Sequence, residues 1–476
     1  MATPTIPNGE EQFFPIIYEG NGGAQRVGKF VPFTDNGTIA NSVIFNDADN
    51  AYVSKTFGTP TNNKKWTFSA WVKLGVLGTN RALISSNING AEYFDLFFTT
   101  GNVLKAQNRI SSSNDLLSST SRTFEDTSKF YHFLIVYDSD NSTSADRYIV
   151  YVDGDRLTVD DEAGSGVASA FNKSGVQHQV GISNTLGSSG VAGLGYQFDG
   201  YMAEVNFVDG SALTPDTFGL TDTSTGRWIP KALTGITYGN NGFRLQFASS
   251  SALGDDTSGN TNDFSVTNLV AGDQTTDSPT QNHATLNANP TASGGTLSEG
   301  NLKLVTNNTG YNVKYATLKP TSGKYYAEFT IGSGGAAIIG VQDANVLNTA
   351  TSSYFPYGYG YGWYEGNGNV YDENVAVVLS GTSYTSGDVI AMALDLDNQI
   401  LKWYKNNSLA YTVGLNGTDI VMAVGDYANA DDATITCNFG QKSFTYTPPT
   451  GFVALQQDNL PETAKGVSSF VWIKSR

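Results

Sequence analysis

Residues 147–154 read Arg147-Tyr148-Ile149-Val150-Tyr151-Val152-Asp153-Gly154. Aromatic and β-branched side chains fill this run, which is typical of a strand, and the Asp-Gly pair at its end is a strong signal for a tight hairpin turn. Apolar runs of similar length, each followed by turn residues, recur outward from it at 66–72, 131–137 and 201–208. Strands at this spacing predict a sandwich of two packed sheets.

The composition of the whole chain agrees with a β-rich protein. Its 476 residues include 52 Gly, 25 Tyr and 26 Phe, and only 15% are charged, against about 25% in typical soluble proteins. At about 150 residues per domain, this length predicts about three domains. Apolar positions almost nowhere follow a helical period for long, so we expect nearly all regular structure to be strand.

Charge and cysteine content exclude several classes of function. Asp and Glu total 44 while Lys and Arg total 27, so the net charge of −17 opposes contact with a phosphate backbone and predicts no nucleic-acid partner. Cys437 is the single cysteine, which excludes an intrachain disulfide and a cysteine-ligated metal centre. No segment approaches the ~18 uninterrupted apolar residues of a membrane span. Residues 1–10 lack the basic and apolar regions of a secretory signal, so a protein of this kind that acts outside a cell is expected to leave by lysis or on a particle.

Polar sequence interrupted by proline marks the predicted domain boundaries. Residues 273–280, which contain Pro279, separate two strand-rich regions, and Pro448-Pro449 ends the second of them. The predicted division is an extended N-terminal arm at 1–40, a sandwich at 41–225, a β-containing connector at 226–282, a second sandwich at 283–447 and a C-terminal tail at 448–476.

Four segments of the first region occur in an order that resembles a known fold. They are Phe68-Ser69-Ala70-Trp71-Val72-Lys73, Phe133-Leu134-Ile135-Val136-Tyr137-Asp138, Tyr151-Val152-Asp153-Gly154 and Phe198-Asp199-Gly200-Tyr201-Met202-Ala203-Glu204-Val205. This order resembles the laminin G-like, concanavalin A-type jelly roll. The resemblance implies two sheets closed around an aromatic core.

The second region resembles a SPRY domain, over residues 283–447. The segments that carry the resemblance are Gly323-Lys324-Tyr325-Tyr326-Ala327-Glu328, Ile339-Gly340-Val341, Gly387-Asp388-Val389-Ile390, Asp395 with Trp403-Tyr404-Lys405-Asn406, and Asn438-Phe439-Gly440. SPRY domains are bent antiparallel sandwiches and usually binding modules rather than enzymes. The expected fold class is therefore all-β, with two β-sandwich domains joined by a β-containing connector.

A wider resemblance covers the whole chain. It rests on residues 198–204 together with four further segments, at 238–247, 255–260, 277–282 and 297–302. These are similar to laminin G plus SPRY proteins encoded by tailed bacteriophages. The resemblance implies a protein of the virion that forms homo-oligomers and contacts other virion proteins.

Residues that could support catalysis are few. His132 lies within an apolar run, where a satisfied structural role is favoured over a catalytic base, and His178 and His283 lie in polar, loop-like sequence. No Ser stands between glycines in a nucleophile-elbow pattern, and the glycines of 358–362 lack the setting of a phosphate-binding loop. Three carboxylate pairs could in principle cleave glycans, namely Glu92 with Asp95, Glu204 with Asp209, and Asp395 with Asp397. Laminarinase-type enzymes of the concanavalin A-type fold, which the first region resembles, carry a Glu-x-Asp-x-x-Glu strand. Because this chain contains no such segment, we expect these acids to cap turns and the protein not to be an enzyme.

Two candidate binding features remain. Seven aspartates lie close together in one loop-rich span and could supply oxygens to calcium, but no spacing matches an EF-hand and acidic turns are the favoured explanation. They are Asp138, Asp140, Asp146, Asp153, Asp155, Asp160 and Asp161. We therefore expect no cofactor, with calcium as the open alternative.

The other feature is the aromatic run at 354–364. Its alternating Tyr and Gly residues would place successive rings on one face of a strand, where they could stack on sugars. The candidate ligand-binding residues are Tyr357, Tyr359, Tyr361, Trp363 and Tyr364. Packing of the same rings into the core or against another subunit is the alternative.

These observations favour a non-enzymatic protein on the virion surface, either tail or capsid. The leading hypothesis is a tail fibre or appendage that recognises a host cell-surface receptor, expected to be a glycan. The alternative is a capsid-surface decoration or knob protein anchored by the arm at 1–40. A glycan depolymerase ranks third, for want of a carboxylate motif. Neither a heptad coiled coil nor a repeat shaft is visible, which favours a compact knob or fibre tip.

Overall fold

The computed structural model describes residues 16–17, 26–27 and 37–461, except 90, 163–182, 191–194, 224–225, 289–293, 308–311, 345–359, 373–375, 418 and 427–431. Within these residues the regular structure is strand, interrupted only by single 3-10 turns such as Asp47–Asp49 and Pro215–Thr217, and contains no α-helix. None of it is a helix that could cross a membrane. The predicted all-β class is therefore confirmed.

The predicted arm contributes a small ribbon in which β1 (Ile16–Ile17) pairs antiparallel with β2 (Arg26–Val27). The strands that follow, as far as residue 275, are β3 (Ser42–Phe45), β4 (Tyr52–Thr56), β5 (Lys65–Leu74), β6 (Arg81–Asn89), β7 (Glu92–Phe98), β8 (Val103–Ile110), β9 (Ser113–Thr123), β10 (Tyr131–Asp138), β11 (Tyr148–Val152), β12 (Asp155–Arg156), β13 (Val159–Asp161), β14 (Ser183–Leu186), β15 (Gly200–Asp209), β16 (Gly219–Thr221), β17 (Trp228–Pro230), β18 (Phe243–Leu245), β19 (Ser265–Thr267) and β20 (Gln274–Thr275).

All of these strands except β16 and β17, which pair with each other in a separate two-stranded sheet, build the first sandwich from two eight-stranded sheets. Sheet I has the order β12-β11-β10-β5-β15-β3-β20, with β18 beside β15, and sheet II has the order β13-β9-β8-β7-β6-β14-β4-β19. Alternation in β5 shows why the sheets pack, because Phe68, Ala70 and Val72 enter the core between them while Ser69 and Trp71 face the other way. The strands β18, β19 and β20 of the predicted connector complete these two sheets.

The remaining strands build the second sandwich. They are β21 (Thr296–Ser298), β22 (Lys303–Val305), β23 (Val313–Tyr315), β24 (Lys324–Ile331), β25 (Ala337–Asp343), β26 (Gly360–Tyr364), β27 (Val370–Asp372), β28 (Val377–Leu379), β29 (Val389–Asp395), β30 (Ile400–Lys405), β31 (Ser408–Gly414), β32 (Ile420–Asp426), β33 (Thr434–Asn438) and β34 (Val453–Ala454). Sheet III has the order β21-β22-β33-β24-β29-β30-β31, with β34 parallel to β24, and sheet IV has the order β23-β32-β25-β26-β27-β28. The two predicted sandwiches are thus both present.

The outer face of sheet I is covered by the rest of the chain. Trp71 and Tyr201 on this face join a hydrophobic cluster that continues into the core of the second sandwich. Elsewhere on the same face, Leu134 and Val208 pack under Phe218, which belongs to the segment after β15. Sheet I is therefore buried on both faces. The second sandwich and the segment after β15 cover sheet I and not the outer face of sheet II.

A buried ion pair joins the two sandwiches. Lys73 of β5 and Asp277 are both inaccessible to solvent, and Lys73 Nζ donates to Asp277 Oδ2 at 2.9 Å. The same Nζ donates to Asn282 Oδ1 at 2.9 Å and to the carbonyl oxygen of His283 at 2.7 Å. Burial lowers the pKa of Lys73 and raises that of Asp277, and their mutual attraction opposes both shifts. The three acceptors use all the donors of one ammonium group.

Candidate functional site

The outer face of sheet II carries a cluster of polar and aromatic side chains. In β7, Phe94, Leu96 and Phe98 point into the core, so the alternate residues Tyr93, Asp95 and Phe97 lie on the outer face. The pairing of neighbouring strands then defines two adjacent rows across this face. One row is Ser85, Asp95 and Gln107, and the other is Asn87, Tyr93 and Arg109.

Asp95 lies at the centre of this cluster and is only 1% exposed. Its Oδ1 accepts a hydrogen bond from Ser189 Oγ at 3.0 Å, whereas its Oδ2 is buried with no hydrogen-bond partner. Burial raises the pKa of Asp95 to about 6, against the effect of hydrogen bonds from Ser85 and Ser189. The carboxyl group can therefore change protonation state near neutral pH.

Arg109 and Asn87 flank Tyr93 in the second row. The guanidinium carbon of Arg109 lies 5.9 Å from the centroid of the Tyr93 ring, which fits a cation–π contact. Arg109 Nε and Asn87 Oδ1 are both buried without a hydrogen-bond partner. Buried polar atoms without a partner also occur elsewhere in the described residues, but on this face three of them belong to neighbouring side chains, so one ligand could satisfy them together.

The loop after β14 holds one side of the cluster in place. Asn87 Nδ2 donates to the carbonyl oxygen of Gly190 at 2.8 Å, and the amide of Gly190 donates to Ser85 Oγ at 2.9 Å. Farther along the loop, the ring of Tyr196 lies 5.0 Å from that of Phe97. The face therefore combines aromatic surface with a carboxyl, an amide and a guanidinium group, which together can orient a polar ligand.

The members of the carboxylate pairs considered in the sequence have separate structural positions. Glu92 and Asp95 are three residues apart in one strand, so they lie on opposite faces of sheet II. Glu204 forms an ion pair with Arg244, while the carboxylate of Asp209 accepts hydrogen bonds from the backbone amides of residues 61, 62 and 241.

The pair in the second sandwich is also structural. Asp395 lies 2.9 Å from Lys324 Nζ and accepts a hydrogen bond from the Asn398 amide. Asp397 accepts a hydrogen bond from the amide of Gly323. These acids stabilise turns and loops, which is the role that the sequence favoured for them.

His132 has the structural role expected from the sequence. Trp228 Nε1 donates to His132 Nδ1 at 3.0 Å, so the ring proton is on Nε2, which lies 2.9 Å from Ser69 Oγ. Burial lowers the pKa of His132 to about 4, so the ring is neutral at pH 7. A nucleophilic serine needs a ring nitrogen that can accept its proton, and Nε2 donates here instead. His283 is buried at the interface of the sandwiches, and His178 lies outside the described residues.

Four of the candidate calcium ligands form ion pairs with lysine or arginine. Asp138 pairs with Lys65, Asp140 with Lys64, Asp146 with Arg156 and Asp153 with Lys129. Within the described part of the chain, no group of three or more acidic, histidine or cysteine side chains is arranged to hold a metal ion.

The aromatic run divides between the core and the half-buried surface. Trp363 in β26 is fully buried, and its Nε1 donates to the carbonyl oxygen of residue 382 at 3.0 Å. Tyr361 and Tyr364 are half-buried and pack against the same hydrophobic core. Tyr357 and Tyr359 lie outside the described residues. The structure therefore places the Trp363 side chain in the core, whereas Tyr361 and Tyr364 keep part of their rings exposed.

The residues of the sheet II cluster, apart from Asp95, were not among the candidates named from the sequence. Their signal is the alternation in 93–98 and 104–109, which places Tyr93, Asp95, Lys105, Gln107 and Arg109 opposite apolar core positions. That pattern identifies one polar face of a strand pair. It does not reveal which polar atoms lack a partner, because this depends on the loop that crosses the face.

Comparisons with known proteins bear on the first sandwich most directly. Residues 46–217 match the family model described as the concanavalin A-like lectin/glucanases superfamily. No curated protein sequence matches the chain.

Among solved structures, the SPRY domain of human HERC1 aligns with 20% identity and a TM-score of 0.26, covering 30% of this chain and 91% of that one. A SAP-like pentraxin of Limulus polyphemus has 12% identity and a TM-score of 0.28, with 37% and 78% covered. A Bacteroides ovatus protein with a proposed carbohydrate-binding role has 14% identity and a TM-score of 0.33, with 48% and 58% covered. Residues 46–217 thus match a concanavalin A-like family model, and SPRY domains are among the structural neighbours of the chain.

Proposed function

We propose that this protein binds carbohydrate without catalysis, at the outer face of sheet II. The observation that carries the proposal is the set of three buried polar atoms without a partner, namely Asp95 Oδ2, Asn87 Oδ1 and Arg109 Nε. A sugar presents hydroxyl groups that both donate and accept, so it can satisfy the carboxyl, amide and guanidinium groups together. The ring of Tyr93 between them offers an apolar surface for the sugar ring. The lectin-type fold of residues 46–217 supports the same proposal.

The wider proposal is that this binding serves host recognition by a bacteriophage. The resemblance of the whole chain to tailed-phage proteins supports a tail fibre or appendage whose partners are a host cell-surface glycan and other virion proteins. The capsid-surface decoration anchored by 1–40 is the second candidate. A depolymerase is not favoured, because each carboxylate pair considered is either divided between two faces or engaged with backbone amides and cations.

A glycan array tests the binding site. The full chain should bind a defined set of glycans, and the double variant Asn87→Ala/Arg109→Ala should lose that binding while its melting curve shows that it is still fully folded at the assay temperature. The matched control is Tyr361→Ala/Tyr364→Ala in the second sandwich, which should bind as well as wild type. The reverse pattern would move the site to the aromatic run. Loss of binding in EDTA, restored by calcium, would favour the calcium alternative.

Immunogold labelling of intact virions tests the wider proposal. Label confined to the tail supports host recognition, and label over the whole head supports capsid decoration. Virions without label would remove the virion assignment and leave the carbohydrate site to be judged by the array.

A further inference from the structure

Resting on the proposed function, we propose that the sugar bound at the outer face of sheet II carries a carboxylate, and that Arg109 binds this group. The ligand class is therefore a glycan that contains uronic acid or another carboxyl-bearing sugar. The proposal concerns this one face and the side chains already described on it.

The state of Arg109 is the first support. Among the described residues it forms no ion pair and no hydrogen bond, and its Nε is buried. The other cation of β8 on the same face, Lys105, is already paired with Glu162. A guanidinium group presents Nε and Nη in a planar fork that matches the two oxygens of a carboxylate. An acidic sugar can therefore satisfy Arg109 in a way that a neutral hydroxyl cannot.

The position of Arg109 is the second support. Its guanidinium lies against the Tyr93 ring, and Tyr93 separates it from Asn87 along one row of the sheet. Strands lie about 4.8 Å apart, so the side chains of this row span about 10 Å. A sugar ring placed over Tyr93 can direct its carboxylate to Arg109 and a hydroxyl to Asn87 Oδ1.

Asp95 supplies a pH dependence that distinguishes acidic from neutral sugars. It lies in the adjacent row, next to Tyr93 on its own strand. The charged side chains of β8 on this face are Arg109 and Lys105, and Lys105 is paired with Glu162, which follows β13. Tyr196 faces it from the loop. A protonated Asp95 removes repulsion and adds a donor, so an acidic sugar should bind more tightly below pH 6. A neutral sugar whose hydroxyls donate to ionised Asp95 should bind more tightly above pH 6.

Calorimetry with the full chain tests the proposal. The probes are oligomers of galacturonate, glucuronate and mannuronate, each compared with the neutral oligomer of the same length, at constant ionic strength and at pH 5 and pH 7.5. At least one acidic oligomer should bind 10-fold or more tightly than its neutral counterpart. Its affinity should be higher at pH 5, and Asp95→Asn should abolish most of that difference between the two pH values.

The matched variants are Arg109→Gln and Arg156→Gln, the latter removing an exposed arginine paired with Asp146 in the other part of the sandwich. Arg109→Gln should weaken binding of the acidic oligomer about 10- to 100-fold, in line with the loss of a charge-assisted bidentate contact, and Arg156→Gln should not. Equal affinity for acidic and neutral oligomers, or an Arg109→Gln variant that binds normally, overturns the proposal while the carbohydrate site stands. Absence of binding to every oligomer and to every array glycan overturns both.

Discussion

The buried ion pair between the sandwiches offers the most quantitative prediction. Substitution Lys73→Met keeps the length of the side chain and removes its charge, leaving the Asp277 carboxylate in a site with no exposure to solvent. Asn282 Oδ1 and the carbonyl oxygen of His283 lose the same donor. Removing one partner of a buried ion pair typically destabilises a protein by about 3–5 kcal/mol.

Protonation of Asp277 sets the expected loss of unfolding free energy in Lys73→Met and the pH dependence of that loss. Without Lys73, the carboxyl group can remain buried by taking up a proton, although its ordinary pKa is 3.8. The free energy of that protonation is about 4 kcal/mol at pH 7 and about 2 kcal/mol at pH 5. The folded-state pKa of Asp277 rises in the variant, so the loss of stability relative to wild type should grow as pH rises above about 4.

Urea unfolding followed by tryptophan fluorescence measures this effect. The difference in unfolding free energy between Lys73→Met and wild type should be about 4 kcal/mol at pH 7 and about half of that at pH 5. Lys64→Met is the matched control, because the Lys64 and Asp140 side chains are 32% and 38% exposed and such pairs contribute less than about 1 kcal/mol. A Lys73→Met variant within 1 kcal/mol of wild type at pH 7, or a loss that does not change with pH, would refute the reasoning.

Three further predictions concern other buried groups. Burial raises the pKa of Asp199 to about 7, so the cost of ionising this buried carboxyl group should lower wild-type stability as pH rises from about 4 to 7. Asp199→Asn should therefore raise the unfolding free energy by about 2–4 kcal/mol at pH 8 and leave it nearly unchanged at pH 4. Urea titrations at both pH values measure this difference. Trp363→Ala empties a fully buried site and should reduce stability by about 3–5 kcal/mol in thermal or urea unfolding, a value near zero being incompatible with core packing. Burial also raises the pKa of the Cys437 thiol well above its usual range, so a thiol reagent should react with the unfolded chain and not with the native one, and rapid native labelling would contradict the buried position.

The sequence could predict the fold because the spacing of apolar residues along a strand is a local pattern. In β5, apolar residues at every second position, Phe68, Ala70 and Val72, predict a strand, and these three side chains enter the core between sheets I and II. In β10, Tyr131, Phe133 and Ile135 enter this core, while Leu134 and Val136 on the opposite face are also apolar and buried, so the run predicts a strand without showing which face lies between the sheets. A strand has few ways to bury one face, so such patterns predict sandwich architecture.

The sequence predicted the candidate site only in part. The alternating Tyr and Gly at 354–364 predict a ligand-binding surface, yet within this run Trp363 packs into the core against Tyr384 and Tyr411. The sequence offered Asp95 as one member of a carboxylate pair with Glu92, but the two side chains lie on opposite faces of β7. Arg109 and Asn87 carry no local signal of function, since polar residues on a strand face are usually solvated.

Sequence alone determined the all-β class, the two sandwiches and the absence of a disulfide, because composition and the two-residue period depend on neighbours along the chain. Tertiary structure decided that Lys73 meets Asp277, that β18, β19 and β20 complete the first sandwich, and which face of sheet II retains unpaired polar atoms. Each of these depends on contacts between residues far apart in the chain, and on the exclusion of water that only close packing of the folded chain produces.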